Sequence, residues 1–337
     1  MAQDKWHWQE SGTAWKGIGI YHVTLIVTSR KPLLGELIIP EQDPAKAYVE
    51  ETSLAKELVS CLLHLYERYP EVMIMRFCVM PDHLHFIIRV RRQMKQGIMT
   101  VLRSFWQAAK KYGREYSASI EHISDVDLPD SSRLSITPDS IRQPLDPLFS
   151  EMPFLRPLSR HGQLNAMMRY VQMNPARLAT KRLKPGFFCV QPDIDLAGRI
   201  YSGVGNTKLL MSARFVQVHV SHVLVDKANA GNPLPLCEYM DSCIAAARQG
   251  AVLVSPFISK HEKEILSILL AEHLPFILLI DNGFRDYYKP TDALFDAVDA
   301  GNVLILSPFP HNPSKRGITR PECIALNGMA AEICSIS

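Results

Sequence analysis

The chain has 337 residues, of which 47% are hydrophobic, and its formal net charge at pH 7 is only +3. This length fits two domains with cores of ordinary size. No apolar run approaches the ~20 residues of a membrane span, and the start of the chain lacks a basic-then-apolar secretion signal. We therefore expect a soluble, cytoplasmic protein with no membrane partner.

The seven cysteines are odd in number and include no Cys-x-x-Cys pair. This usage indicates neither a disulfide framework nor a structural zinc site. We expect free, buried thiols.

The charge is unevenly spread along the chain. Residues 1–200 carry 26 basic and 21 acidic side chains, whereas residues 201–337 carry 11 and 13. Residues 89–116 hold eight basic side chains and one acidic one, and residues 156–184 hold seven basic ones and no acid. Such stretches suit a phosphate backbone, although a solvated helix face is the alternative for each.

Strand and helix patterns alternate through the first half of the chain. The predicted elements are an N-terminal arm (1–18), a strand (19–28), a helix from Thr52 or Ser53 to about Tyr69, strands at 72–79 and 84–91, a helix from Gly97 to about Tyr116, and an irregular stretch (117–150).

A His-x-His pair stands at the start of the strand that follows the turn at Pro81 and Asp82. Residues two apart on a strand point to the same side, so His83 and His85 converge while Leu84 faces away. Two convergent imidazoles can hold a divalent metal. The alternative is a pair of ordinary strand histidines.

A second informative stretch spans residues 158–178. Its apolar residues have helical spacing, and Pro175 breaks this helix or ends it just before. Tyr170 and Asn174 are four residues apart and are expected on one helix face. The alternative is a helix-end tyrosine that packs on the domain.

Taken together, these motifs resemble the REP-associated tyrosine transposases, which are single-tyrosine HUH endonucleases. The resemblance covers roughly residues 15–190. Three segments carry it: Gly19-Ile20-Tyr21-His22-Val23-Thr24 with Arg30 and Leu34-Gly35-Glu36-Leu37, then Pro81-Asp82-His83-Leu84-His85, then Arg169-Tyr170-Val171 with Asn174-Pro175 and Arg177.

The resemblance implies an α+β fold for residues 1–190, with an HUH-type antiparallel sheet and helices (ferredoxin- or RRM-like). It implies that His83, His85 and Asn174 bind a divalent metal ion, Mg²⁺ or Mn²⁺, and that Tyr170 is the catalytic nucleophile. Insertion-sequence relatives typically have glutamine where this chain has Asn174. No ligand role is assigned to Asp82, and no nucleotide cofactor is required.

The implied activity is DNA transposition chemistry: Tyr170 nicks single-stranded DNA that bears hairpins or palindromic repeats and keeps a 5′-phosphotyrosine intermediate. A homodimer is one of the states in which such a chain can act. The basic stretches are expected to track the DNA backbone. The candidate DNA-binding residues are Arg89, Arg91, Arg92, Arg103, Lys110, Lys111, Arg169, Arg177, Lys181 and Arg182.

A different pattern follows a predicted connector at 191–207. Continuous apolar strands at 251–257, 276–281 and 303–309 alternate with helical stretches at 237–249, 260–273 and 291–300. This pattern predicts a second, Rossmann-like α/β domain over 208–337, which weakly resembles that of DNA-processing protein A.

Ser255, Asp281 and Ser307 stand at the predicted strand ends, where such sheets place ligands. Plain turn residues are the alternative. Because the chain has no Gly-x-Gly-x-x-Gly and no Walker loop, no ligand is assigned to this domain.

Three functions remain in view. The leading hypothesis is a metal-dependent DNA strand transferase. The alternatives are a non-catalytic DNA-binding regulator that keeps the HUH fold, and a metal-dependent phosphoesterase that leaves Tyr170 without a role.

Overall fold

The computed structural model describes residues 18–123, 148–150, 153–285 and 288–336. The chain forms two compact units, Met1–Ala179 and Thr180–Ser337. The predicted N-terminal arm and most of the irregular stretch 117–150 lie outside the described residues, although residues 117–123 continue a helix. The predicted domain limits stay predictions.

The first unit mixes strands and helices. Its elements are β1 (Gly19–Ile26), β2 (Gly35–Ile38), β3 (Tyr48–Glu51), α1 (Ser53–Leu63), α2 (Leu65–Arg68), β4 (Val72–Met80), β5 (His83–Val90), α3 (Ile98–Ile123), β6 (Phe154–Pro157), α4 (Gln163–Gln172) and the start of α5 (Asn174–Leu183). Thr52 caps α1, because its side chain accepts a hydrogen bond from the backbone N–H of Ala55.

Four strands form an antiparallel sheet in the order β4-β5-β1-β6, and β2 pairs with β3 in a separate two-stranded sheet. Side chains alternate between the two faces of the four-stranded sheet. On one face, Leu84 and Phe86 of β5 pack in the core with residues of α1 and α3, such as Leu58 and Phe105. The predicted α+β character of this unit is confirmed.

The other face of the four-stranded sheet carries α4, which packs against β4 and β5. The sheet is therefore covered by α1 and α3 on one side and by α4 on the other. The odd-numbered residues of β5 from His83 to Arg89 belong to the α4 side, because the even-numbered residues belong to the core.

The second unit contains a six-stranded sheet. Its further elements are α6 (Pro185–Phe188), β7 (Gln191–Leu196), β8 (Arg199–Gly205), β9 (Phe215–Gln217), α7 (His222–Asn229), α8 (Leu234–Arg248), β10 (Val252–Ser255), α9 (Lys260–Ala271), β11 (Phe276–Leu279), α10 (Asp292–Asp299), β12 (Val303–Ser307) and α11 (Arg320–Cys334).

The strands β9, β10, β11 and β12 pair in parallel, in chain order. Successive residues of β11 point to opposite faces of the sheet and pack in two separate hydrophobic cores. Phe276 packs with residues of α8, α9 and α10, whereas Ile277 packs with residues of α11. Strands that are buried on both faces have continuous apolar sequences. This is why β10, β11 and β12 could be predicted from the sequence. The assignment of this unit as Rossmann-like stays a prediction.

Residues 191–207, expected as a connector, instead contain β7 and β8. These strands form an antiparallel pair, and β8 continues the sheet by pairing with β12. The segment reads as a linker because it is polar and carries a turn at Gly198, where φ is +69°. The edge strand β7 has no buried residue, whereas β8 buries Tyr201 and Val204.

The sequence Ser-Pro-Phe occurs at 255–257 and 307–309, and both copies make the same hydrogen bond. The Ser255 hydroxyl accepts a hydrogen bond from the Phe257 N–H at 2.9 Å, and the Ser307 hydroxyl accepts one from the Phe309 N–H at 3.2 Å. Both serines are buried. The third strand-end residue, Asp281, pairs with Lys315 at 3.3 Å. These contacts agree with the alternative that the three residues stabilise turns and loops.

A buried carboxylate joins two loops at the carboxyl end of the parallel strands. Glu262, in the first turn of α9, is 3% exposed. Its side chain accepts hydrogen bonds from the backbone N–H groups of Val220, Ile258 and Ser259 at 3.1, 2.8 and 2.9 Å. One acidic side chain therefore satisfies three backbone donors from the loops after β9 and β10.

All seven cysteines are free, as predicted, but only Cys243 is buried. Among the described residues, no helix is both long and apolar enough to cross a membrane.

Candidate active site

The histidine pair begins β5, directly after a tight turn from β4. His83 pairs in register with Met80, and the intervening Leu84 is 1% exposed in the core. The centroids of the His83 and His85 rings are 4.6 Å apart, with the ring planes at 87°. The two imidazoles therefore share the sheet face that carries α4.

Asp82 orients the His83 ring. One oxygen of Asp82 lies 2.6 Å from Nδ1 of His83, and the other accepts a hydrogen bond from Arg30 at 3.1 Å. Burial raises the pKa of Asp82, but the hydrogen bonds and charges of His83 and Arg30 outweigh it and hold that pKa below its usual value. Because the carboxylate accepts a hydrogen bond from Nδ1–H, Nε2 is the nitrogen of His83 that can bind a ligand.

Two side chains of β1 lie against His85. Oγ1 of Thr24 is 2.8 Å from Nδ1 of His85, and Nε2 of His22 is 3.2 Å from the same nitrogen. All three side chains are buried. Burial, together with the charge of Arg156, lowers the pKa of His22 to about 4, so this imidazole is neutral at pH 7. These two contacts engage Nδ1 of His85 and orient its ring.

His22, Thr24 and Arg30 were not among the predicted site residues. One signal was present: His22 and Thr24 alternate with the core residues Val23 and Leu25, so they share the opposite face of β1. Their position beside His85 depends on strand pairing across about sixty residues, which periodicity does not encode.

Tyr170 lies on α4 beside these histidines. The centroid of its ring is 5.7 Å from that of His85 and 6.0 Å from that of His22, both edge-on. The guanidinium carbon of Arg177 lies 5.6 Å from the centre of the Tyr170 ring, and Arg177 is 7% exposed. The neighbouring Val171 is fully buried and anchors this turn of the helix.

Asn174 follows a break that changes the predicted helix. The chain leaves the helical state at Met173, and Asn174 opens α5 with Pro175 in its first turn. Tyr170 and Asn174 therefore lie on two successive helices and not on one helix face. Proline lacks an N–H donor and disfavours helix in the residue before it, which accounts for a break here.

The donor types predicted for a metal are imidazole nitrogens and an amide oxygen, which divalent ions accept. Nδ1 of each histidine is engaged by a neighbouring side chain, and the 5% exposed Asn174 has an amide nitrogen without a hydrogen-bond partner. Rotation of the amide exchanges its nitrogen and oxygen without changing its shape. No cluster of three or more His, Cys, Asp or Glu ligands occurs among the described residues. The metal site stays a prediction.

The predicted DNA-binding cations lie on both sides of the four-stranded sheet. Arg103, Lys110 and Lys111 are on α3, whose apolar side covers the core face, so they lie across the sheet from the histidine pair. Arg89 lies on the histidine face of β5. Alternation along β5 thus separates the α3 cations from the candidate active site.

The remaining cations differ in exposure. Arg91, Arg92, Arg169 and Arg182 are exposed, Arg177 is buried over the Tyr170 ring, and Lys181 is half-buried, with burial lowering its pKa. The buried Arg177 therefore lies against the ring of Tyr170. The DNA contacts of all ten residues stay predictions.

No protein family matches the chain, and no curated protein matches its sequence. Among solved structures, the chain is similar to a REP-associated tyrosine transposase bound to a REP hairpin, with 13% identity over 50% of this chain and 74% of that one and a TM-score of 0.30. It is also similar to a candidate transposase from Deinococcus radiodurans, with 13% identity over 49% of this chain and 96% of that one and a TM-score of 0.27. Both structural neighbours are therefore transposases, but scores this low carry no weight for the activity of this chain.

Proposed function

We propose that this chain is a metal-dependent, single-stranded DNA endonuclease and strand transferase that acts on DNA bearing hairpins. One observation carries this proposal: the rings of His83, His85 and Tyr170 meet on one sheet face, with centroids 4.6 and 5.7 Å apart. The proposed nucleophile thus lies beside the two imidazoles of the proposed metal site.

His83, His85 and Asn174 would hold the divalent ion. When bound, the ion supplies charge stabilisation to the non-bridging oxygens of a phosphodiester. Imidazole ligands suit Mn²⁺ better than Mg²⁺, which prefers oxygen. Three protein ligands leave coordination positions open for a substrate.

The phenol of Tyr170 is the proposed nucleophile. The phenol loses its proton to solvent, and its oxygen forms a bond to phosphorus while the bond from phosphorus to the 3′-oxygen breaks. The leaving oxygen takes up a proton from solvent and becomes a 3′-hydroxyl. The Arg177 guanidinium, 5.6 Å from the ring centre, favours the anionic phenolate. The product is a 5′-phosphotyrosyl enzyme.

This intermediate explains strand transfer without a nucleotide cofactor. The phosphotyrosyl bond replaces one phosphodiester bond, so attack by a second 3′-hydroxyl reverses the step on another strand. Tyr170 lies beside the histidines of its own chain, so the proposed attack needs no residue from a second copy. A homodimer stays a prediction.

Mapping of the covalent adduct tests this proposal. We expect that DNA labelled 3′ of the cleavage site becomes attached to the protein when Mn²⁺ or Mg²⁺ is present, and that peptide mass spectrometry places the nucleotide on Tyr170. Addition of EDTA should prevent the adduct. An adduct on another residue contradicts the assignment, DNA release without any adduct favours a phosphoesterase, and binding without cleavage favours a regulator.

The Thr24 hydroxyl is expected to set the metal affinity through His85. Thr24→Val keeps the shape of the side chain but removes the 2.8 Å contact with Nδ1 of His85. We expect Mn²⁺ binding to weaken by about 10- to 100-fold, as is typical when a group that orients a metal ligand is removed. Electron paramagnetic resonance of free Mn²⁺ measures this affinity without DNA. Thr24→Ser should restore most of it, whereas an unchanged affinity in Thr24→Val would show that Thr24 does not orient the ligand.

A further inference from the structure

The edge strand β6 extends the face of the candidate active site. In the pairing of β1 with β6, His22 lies opposite Arg156 and Thr24 lies opposite Phe154. Directly opposed residues of an antiparallel pair point to the same face. Phe154 and Arg156 therefore belong to the face that holds the histidines, one strand beyond His22.

Both β6 side chains are open to solvent, unlike their partners on β1. Phe154 is 49% exposed, and Arg156 is exposed, whereas His22 and Thr24 are buried. The charge of Arg156 lowers the pKa of His22, which agrees with a guanidinium close to that ring. His22 in turn lies 6.0 Å from the ring of Tyr170. The buried His22 thus lies between the ring of Tyr170 and the exposed side chains of β6.

We propose that Phe154 and Arg156 form a nucleotide subsite, in which Phe154 stacks on an unpaired DNA base and Arg156 binds a backbone phosphate. This inference rests on the proposed function and identifies where the single strand continues beyond the attacked phosphate. An exposed ring with a cation two residues away is the arrangement that holds single-stranded nucleic acid without reading its sequence. A base within a duplex has no free face to offer such a ring.

The α3 cations support this location indirectly. They lie on the other side of the four-stranded sheet, so a strand held at Tyr170 cannot reach them without passing round the sheet edge. Arg156 instead belongs to the sheet face that holds the histidines.

Equilibrium binding of the full chain to DNA in EDTA tests the subsite without cleavage. The probes are a fluorescein-labelled hairpin with a single-stranded tail and a blunt duplex, followed by fluorescence anisotropy. We expect Phe154→Ala to weaken binding of the tailed hairpin by about 5- to 150-fold, and Phe154→Trp to retain it. We expect Arg156→Ala to reduce the slope of log affinity against log salt by about 0.7, and Arg156→Lys to keep it.

The control variants are matched to these positions. Tyr48 is 50% exposed on β3, outside the four-stranded sheet, and Arg68 is exposed on α2. Tyr48→Ala and Arg68→Ala should leave binding of the tailed hairpin unchanged.

The outcomes separate this inference from the proposed function. If Phe154→Ala binds the tailed hairpin with wild-type affinity, or loses as much affinity for the blunt duplex, the subsite is contradicted. The proposed function is not affected by either result. A selective loss on the tailed hairpin in a chain that forms no Tyr170 adduct supports the subsite and overturns strand transfer. A wild-type chain that does not bind the tailed hairpin overturns both.

Discussion

Tyr170→Phe is expected to abolish the covalent DNA adduct and to reduce strand cleavage by about 10³-fold or more, because it removes the attacking oxygen. The phenyl ring can keep the edge-on contacts with His85 and His22 and the position under Arg177. The packing of α4 and the binding of DNA should therefore persist. A denaturing gel with end-labelled hairpin DNA measures cleavage, and anisotropy measures binding.

The matched control for this variant is Tyr48→Phe, since Tyr48 is an exposed tyrosine of the same unit outside the four-stranded sheet. It should cleave DNA at the wild-type rate. If Tyr170→Phe still cleaves at that rate, the nucleophile is another group, and a metal-dependent phosphoesterase becomes the better description.

Glu262→Ala is expected to lower the free energy of unfolding of the second unit by about 3 to 5 kcal/mol. The substitution leaves the N–H groups of Val220, Ile258 and Ser259 without their acceptor. A typical domain is stable by only about 5 to 15 kcal/mol, so much of this unit's stability depends on one carboxylate.

Two spectroscopic signals separate the effect on each unit. All four tryptophans, at positions 6, 8, 15 and 106, precede residue 180. In urea, the far-ultraviolet circular dichroism of Glu262→Ala should show an early transition, while tryptophan fluorescence should change at the wild-type concentration.

Glu264→Ala is the control for position 262 on the same helix. Glu264 is exposed and makes only surface pairs with His261 and Lys260 at 3.3 and 3.9 Å. Its replacement should change stability by no more than about 1 kcal/mol. Equal stability of the two variants would show that the Glu262 hydrogen bonds add little beyond those to water.

Local patterns predicted the elements that position the candidate site. Alternation along β5 separates His83 and His85 from Leu84, and helical spacing places Val171 inward next to Tyr170. Both patterns depend on a side chain's neighbours along the chain, and so a single sequence carries them.

Other features depend on contacts that are distant in sequence. The apolar stripe of α3 indicates that one helix side is buried, but it does not say which face of the sheet covers it. The sequence therefore did not predict that the α3 cations lie across the sheet from the histidine pair. Their contacts with DNA stay a prediction. For the same reason, the sequence did not predict the positions of Thr24 and Arg156. Thr24 lies beside His85 because β1 pairs with β5, and Arg156 lies opposite His22 because β6 pairs with β1. The strands β7 and β8 were predicted as a connector for a different reason. Their segment is polar and begins with the edge strand β7, so its composition resembles that of a linker.

The two imidazoles are held with unequal firmness. His85 is oriented by a neutral hydroxyl and a neutral imidazole, both buried. His83 is oriented by Asp82, whose partner Arg30 has a side chain that is 61% exposed. Mobile ions screen exposed charges and leave buried neutral contacts almost untouched. Rising ionic strength should thus loosen the support of His83 and spare that of His85. Under the proposed function, salt would therefore act on the geometry of the metal site as well as on DNA affinity.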